Sequence, residues 1–368
     1  MTTSPSTLKS LPVVMSHYVN ELEWRITLNP AGFEEQCHVL AERGYRGISL
    51  DEAENYLVHG ESLPKKSLLL TFDDGYADNY FYALPILAKY GHKGVCFPVT
   101  NRLEAEDKPR ASFDAVREGK VSIPPHVARP VVQKTQDIVV RQDIFLNHGE
   151  VRALDASGIF QIGVHGRGHY GVYTGPKYSR FFQPRTQMRT FYRTEDNPVW
   201  GLPEFSVKPG LQFRAFLPNP LMVEAIKKLV PQEFTAATDF FAHKDGLPSL
   251  RALADSFSGK LGRYETDAER HARMRREIVT GKEELEQILG RKVHTFCWPW
   301  GKYCDEAFCM ARDAGFKLFF VVSRGANPPG KPLAVHRFDS RNGGKNWLAR
   351  QAWLHEQPLL ASLLGVIG

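Results

Sequence analysis

The stretch LLLTFDDGYADN, residues 68–79, drives a run of aliphatic side chains straight into two adjacent carboxylates, Asp73 and Asp74. A continuous apolar run of this length reads as a strand covered on both faces, the pattern of a parallel sheet. Two neighbouring carboxylates at its end repel each other, and burying them is costly unless a cation or hydrogen-bond donors compensate. The pair therefore demands a partner elsewhere in the chain.

Working outward, strand and helix signals alternate. LPVVMS reads as a strand. NPAGFEEQCHVLAERGY has an Asn-Pro helix start, Phe33, Cys37 and Leu40 at helical spacing, and Gly44 as a stop. GISL is a second strand, DEAENYLVHG a short helix, DNYFYALPILAKYG a helix disturbed by Pro85, and GVCFPVT a further strand. After residue 147 the rhythm resumes with a short helix (GEVRALDASG), the strand FQIGVHG, a long capped helix ending at Gly290, and the block VHTFCW, DEAFCMARDAG, KLFFVV. This βαβ repetition predicts a parallel α/β sheet or barrel. Residues 104–147 and 170–264 break the pattern and are expected to be loop-rich insertions in a single domain spanning 1–368, the second with one helix around PLMVEAIKKLV.

In parallel α/β folds, chemistry gathers at the carboxyl ends of strands. Asp73, Asp74, His165 and the Pro299 turn all fall there. His165 and His169 in VHGRGHYG offer two imidazoles, and with one carboxylate they make a donor set for zinc and its neighbours cobalt, nickel or manganese. Asp74 completes that set and Asp73 is left as the free base. Against this stands the plain reading in which Asp-Asp-Gly caps a turn and the histidine pair is incidental. His17 lies at a predicted strand end and is read either as lining the site or as packing. Cys304 and Cys309 are read as core residues of one helix face, and ERHARMRREI as a solvated helix face.

Basic residues exceed acidic ones by 47 to 41, a net charge of +6. That admits an anionic substrate or membrane surface and falls well short of a nucleic-acid-binding pattern. The start of the chain lacks the basic and apolar regions of a signal peptide, the apolar tail PLLASLLGVIG is too short to span a bilayer, and the five cysteines form no Cys-x-x-Cys pair. These features predict a cytoplasmic protein, with at most peripheral contact at the inner membrane.

LLLTFDDGYADNYFYALPILAKYGHKGVCFPVT closely resembles the first motif of the NodB-homology polysaccharide deacetylases, carbohydrate esterase family 4. The resemblance extends over residues 12–103, 147–170 and 265–350. It implies a distorted (β/α) barrel with fewer than eight strands and metal-dependent removal of N-acetyl groups from an amino sugar. By the same resemblance Asp73 is the catalytic base, and Asp74, His165 and His169 hold the metal. FCWPWG resembles the third motif, which puts the main-chain N–H of Trp300 at the oxyanion. His336 resembles the general acid for the leaving amine. Tyr173 and Tyr178, close after His169, are expected to form an aromatic wall for the sugar, and Pro299 and Arg337 are counted with them as substrate-facing. Three departures stand out: Gly166 where the family has Ser or Thr, Cys297 where it carries a base-orienting Arg, and no Asp-x-x-Asp-Trp. Arg337 or Arg341 is the candidate to replace the missing cation. The C-terminal third is similar to a subgroup tied to lipopolysaccharide or envelope-glycan assembly, which implies a lipid-linked or nucleotide-linked sugar. Two rival readings keep the barrel: hydrolysis of a cyclic ureide or imide, and a carbohydrate-binding protein without turnover.

Overall fold

The computed structural model describes residues 7–22, 26–135, 138–141, 144–185, 188–189, 194 and 199–367. Its strands β1 (Val13–Ser16), β2 (Ser67–Asp74), β3 (Gly94–Pro98) and β4 (Phe160–Ile162) lie side by side, every pairing parallel. Strands β5 (Thr295–Cys297) and β6 (Leu318–Phe320) form a second parallel pair. β7 (Phe338–Asp339) returns to the free edge of β1. Two parallel bridges join the pieces, Val164 to Phe296 and Phe320 to Val335. The ring closes as a distorted barrel of β1 to β7, with the two-residue strand Arg46–Gly47 added at the start of β2. The expected strand GISL shrinks to that pair because Ser49 is taken as the N-cap of helix Leu50–Leu57, in a capping box with Glu52.

All eight residues of β2 are buried, and its period of two sorts them between layers. Leu68, Leu70 and Phe72 pack with Phe33, Leu40, Leu84 and Leu87 beneath helices Pro30–Glu42 and Leu84–Tyr90. Leu69 packs with Val13, Phe97, Cys297, Phe320 and Val335 inside the ring. Each fully buried leucine stabilises the fold by about 1.5–3 kcal/mol, enough to fix this register against a slip. Thr71 and Asp73 share the parity of Leu69 and so point inward.

The long helix expected before Gly290 starts at Thr266, whose side chain forms a capping box with Glu269, and ends at Gly290 with φ 69°. It is interrupted by a π-turn at Arg276–Thr280. The described residues of segment 170–264 do not form the expected loop-rich insertion but fold around a small core of their own. A hairpin of Gly171–Phe181 and Pro203–Pro209 and helices Pro220–Leu229, Phe234–Ala242 and Gly246–Ser256 bury Phe181, Phe205, Phe216, Met222, Ile226 and Leu250 together. Gly246 and Pro248 disguised the last helix in the sequence, yet both sit in its first turn, where proline is tolerated. Segment 104–147 holds two short helices, Phe113–Arg117 and Pro125–Ala128, and a strand pair. The terminal helix Pro358–Ile367 exposes Leu359, Leu363 and Val366. No described helix is long and apolar enough to cross a membrane.

Candidate metal centre and active site

At the carboxyl end of β2 the chain turns sharply. Asp74 adopts φ 72° and Gly75 φ 77°. A Cβ on Gly75 would come within 2.7 Å of Pro98, so only glycine fits. Left-handed backbone at a non-glycine residue stores strain and clusters at functional sites. This turn sends Asp74 over the rim while Asp73 stays inside.

Asp73 is 2% exposed and pairs with Arg337, itself 1% exposed, through two parallel bonds of 2.7 and 2.8 Å. The five guanidinium donors of Arg337 are all used: besides Asp73 they reach Thr71 Oγ1 (3.2 Å), the Val321 carbonyl (2.9 Å) and Cys297 Sγ (3.1 Å). Burial, the largest single influence, would raise the Asp73 pKa, but the Arg337 charge and hydrogen bonds together with the nearby histidines outweigh it and hold the carboxyl below its ordinary value. Burial pushes the Cys297 thiol far up, so it remains a neutral neighbour, 3.7 Å from Asp73 Oδ2. Of the two arginines considered for the missing cation, Arg337 occupies that place. It cannot also face substrate, because its side chain is enclosed; that expectation is corrected.

Asp74 Oδ2 accepts the Tyr76 hydroxyl at 2.8 Å, while Oδ1 is buried with no hydrogen-bond partner. That orphaned oxygen lies 3.7 Å from His165 Nε2 and 3.9 Å from His169 Nε2. Nδ1 of His165 faces the Cys297 carbonyl at 2.9 Å, so it carries the proton and turns a lone pair on Nε2 toward the aspartates. Burial keeps both imidazoles neutral by lowering their pKa values, that of His169 to about 3. Asp74, His165 and His169 thus offer three donor atoms within 4.8 Å of one another. One anionic oxygen with two neutral nitrogens suits a first-row divalent ion, whose bonds to such atoms are about 2 Å. The residues fit a metal.

The loop bearing the histidines is braced from behind. Gly168 and His169 donate their main-chain N–H groups to Glu277 at 2.9 and 2.6 Å, and Arg167 donates to the Glu277 carbonyl at 2.9 Å. Trp300, with φ 61°, donates its indole N–H to the His169 carbonyl at 3.2 Å and stacks on the His169 ring. Pro299 is buried against Gly166, so it supports the loop instead of lining a substrate path. A cavity of about 640 Å³, in the size range of ligand sites, opens past the ends of β1 and β7 between His17, Asp339 and Arg341. His17 lies near enough to act electrostatically on both aspartates.

The remaining expectations fare unevenly on geometry. His336 does not join the cluster: neighbours along an extended chain point to opposite faces, and Arg337 takes the inward one. The His336 ring packs on Gly325 and meets Ser323 at 3.0 Å. Tyr173 and Tyr178 both meet Phe205 edge-on at the core of the insertion; Tyr173 also lines a cavity beside the metal loop with Arg167, Tyr170, Gly210 and Arg273, which Tyr178 does not. Glu277 was missed altogether. In sequence it is one charge among many on a helix, and only the π-turn aims it at the loop.

Residues 60–196 match the family model for polysaccharide deacetylase. YxkH of Bacillus subtilis (strain 168) is 35% identical over 89 residues, which is 24% of this chain and 32% of that protein. The poly-beta-1,6-N-acetyl-D-glucosamine N-deacetylase of Escherichia coli (strain K12) is 21% identical over 301 residues, covering 82% of this chain and 31% of that protein. The chain therefore spans about a third of the length of these curated relatives. Among solved structures, a de-N-acetylase from Aggregatibacter actinomycetemcomitans superposes with a TM-score of 0.58 at 18% identity, over 93% of this chain and 99% of that one. IcaB from Ammonifex degensii gives 0.52 at 19% identity, over 94% and 97%. The shared barrel and the matched motif lead to one conclusion: residues 60–196 resemble a polysaccharide deacetylase domain, and the fold around them is that of these solved structures.

Proposed function

We propose that the protein is a metal-dependent N-deacetylase acting on an acetylated amino sugar of a bacterial surface glycan or its precursor. The observation that carries this reading is the orphaned Asp74 oxygen facing two neutral imidazoles, beside a second carboxylate kept ionised by a buried arginine. A divalent ion held by Asp74, His165 and His169, zinc in this reading, supplies Lewis acidity that polarises the acetamide carbonyl and acidifies water. Asp73 takes the proton of the attacking water, since each of its oxygens keeps a lone pair beyond the Arg337 bond. The Trp300 main-chain N–H meets the oxyanion. With His336 on the outer face, protonated Asp73 is the acid in place to return that proton to the departing amine.

The finer reading is a lipid-linked or nucleotide-linked sugar, processed on the cytoplasmic side by a protein that touches the membrane peripherally. The net charge of +6 and the exposed apolar side chains of Pro358–Ile367 support it. A salt-resistant membrane fraction, or an exported and processed form, would overturn that placement. The deciding assay is acetate release from lipid-linked and nucleotide-linked acetamido sugars by zinc-loaded and chelated protein. Release only from cyclic ureides or imides would favour the rival amidase. Sugar binding with no bound metal and no acetate would favour the non-catalytic reading.

A further inference from the structure

The loop from His165 to His169 belongs to no helix or strand, and it passes through left-handed backbone twice, at Gly166 (φ 75°) and at His169 (φ 55°). A non-glycine residue in that region must be held there by its surroundings. Glu277 holds three consecutive residues of this loop: its carboxylate takes the Gly168 and His169 N–H groups, and its main-chain carbonyl takes that of Arg167. We infer that Glu277 is a positioning residue for the metal centre: through the Gly168 and His169 N–H groups its carboxylate fixes the His169 imidazole opposite Asp74 and thereby sets the affinity for the divalent ion. This rests on the reading of Asp74, His165 and His169 as metal ligands.

Three features of the chain fit around this clamp. The two carboxylate oxygens each take a separate N–H, at 2.6 and 2.9 Å, and a charged acceptor makes such bonds about twice as strong as neutral ones. With both oxygens so engaged, Glu277 acts on the ion through His169 and is not itself a ligand. Next, Gly166 is matched to the clamp, because a Cβ there would stand 2.5 Å from Glu277 Oε1. The hydroxyl residue expected at this position is therefore excluded by the carboxylate that braces the loop in its stead. Finally, the helix reaches the loop only through two local devices. The π-turn Arg276–Thr280 rotates Glu277 off the regular helix face, and Gly281 lets the following turn approach, since a Cβ there would lie 2.8 Å from the Arg167 nitrogen. The Trp300 indole secures the His169 carbonyl from the other side, so the residue is held at both its N–H and its C=O.

The test uses the full chain and zinc or cobalt alone. Affinity is measured by chelator competition and calorimetry, the cobalt form is followed by its visible spectrum, and the metal-free form by thermal melting. Groups that orient metal ligands are typically worth about 10–100-fold in metal affinity. Glu277→Ala is expected to weaken zinc binding by that factor and to alter the cobalt spectrum. Glu277→Gln keeps one acceptor oxygen and should fall between Ala and the parent. Gly166→Ala should weaken binding by itself, yet add less loss once Glu277 is Ala, because its closest clash, at 2.5 Å, is with that side chain, while the strain of φ 75° and the 3.1 Å approach to Pro299 remain in both backgrounds. Unchanged zinc affinity and an unchanged cobalt spectrum in both Glu277 variants would overturn the inference. So would a lower melting temperature with unaltered affinity, which marks a structural role only. If the parent protein binds no metal, or Asp74→Ala binds it as tightly as the parent, the ligand assignment itself fails and the inference falls with it.

Discussion

Asp73 and Asp74 are covalent neighbours with different main partners: one pairs with a guanidinium inside the barrel, the other faces two imidazoles at its rim, and His165 Nε2 stands near both, at 3.8 and 3.7 Å. Their substitutions should fail differently. Asp74→Ala is expected to lose bound metal, measured on the purified protein, because two imidazoles alone hold a divalent ion weakly. Asp73→Asn should keep the metal and lose turnover by about 10²–10⁴-fold, the usual worth of general-base assistance. Near-normal deacetylation by Asp73→Asn would remove the carboxylate from the mechanism. The same residue also anchors the fold. Removing one partner of a buried ion pair typically costs about 3–5 kcal/mol, whereas removing both costs less. Arg337→Met should accordingly lower the melting temperature more than the double variant Asp73→Asn/Arg337→Met does, and strict additivity would argue against the pair. Both aspartates and both histidines were legible in the sequence because their residue types announce the chemistry. Arg337 was legible as one of two candidates for the missing cation, but the outward turn of His336 was not, since a single step of parity along an extended chain decides which of two adjacent residues looks inward.

Among the elements, those with strong local signals were readable: the Asn29-capped helix Pro30–Glu42, the apolar strand β2 and the long capped helix before Gly290. The π-turn inside that last helix left no mark in the pattern of apolar residues, which is why Glu277 went unnoticed. The insertion hairpin was also hidden, because its core is made by contacts between segments far apart in sequence. Phe205, 4% exposed, sits at the centre of that core. Phe205→Ala is expected to destabilise it by about 3–5 kcal/mol and to open the segment to limited proteolysis, with zinc affinity preserved. Lost metal binding would mean that the insertion props up the site. On the barrel's flank, His92 joins two elements: its Nδ1 accepts from the Gly47 N–H at 3.1 Å and its Nε2 meets the Cys37 carbonyl at 2.9 Å. Burial lowers its pKa below 6.5, so the unfolded chain binds a proton more readily than the folded one. Stability should then hold above about pH 6.5 and decline as the pH falls below it. In His92→Gln, which can place an acceptor and a donor similarly, the melting temperature of the metal-free protein should fall less steeply between about pH 7 and 5. An identical slope would show that His92 contributes nothing to it.

For the molecule as a whole, the βαβ rhythm sufficed to predict a parallel barrel, but not how it closes. Strands of three residues joined by lone bridges give almost no sequence signal, and the closure of this ring depends on two of them. One of these joints adjoins the metal loop. The bridge from Val164 to Phe296 ties β5 to the rest of the ring, and next to it His165 Nδ1 fastens onto the Cys297 carbonyl. One imidazole would therefore serve the hoop of the barrel with one nitrogen and an ion with the other. Whatever grips Nε2 would also steady the hoop, so an ion held there would act as a latch on a stave as well as a reagent. Stripping the metal should speed amide hydrogen exchange across Thr295–Cys297 while leaving the centre of β2 protected, and mass spectrometry of the loaded and chelated protein can compare the two. Equal exchange in both forms would show that the latch is idle. A latch that works would make the site self-policing: an empty barrel would slacken at the wall that carries Trp300, and would tighten into its hydrolytic shape only when loaded.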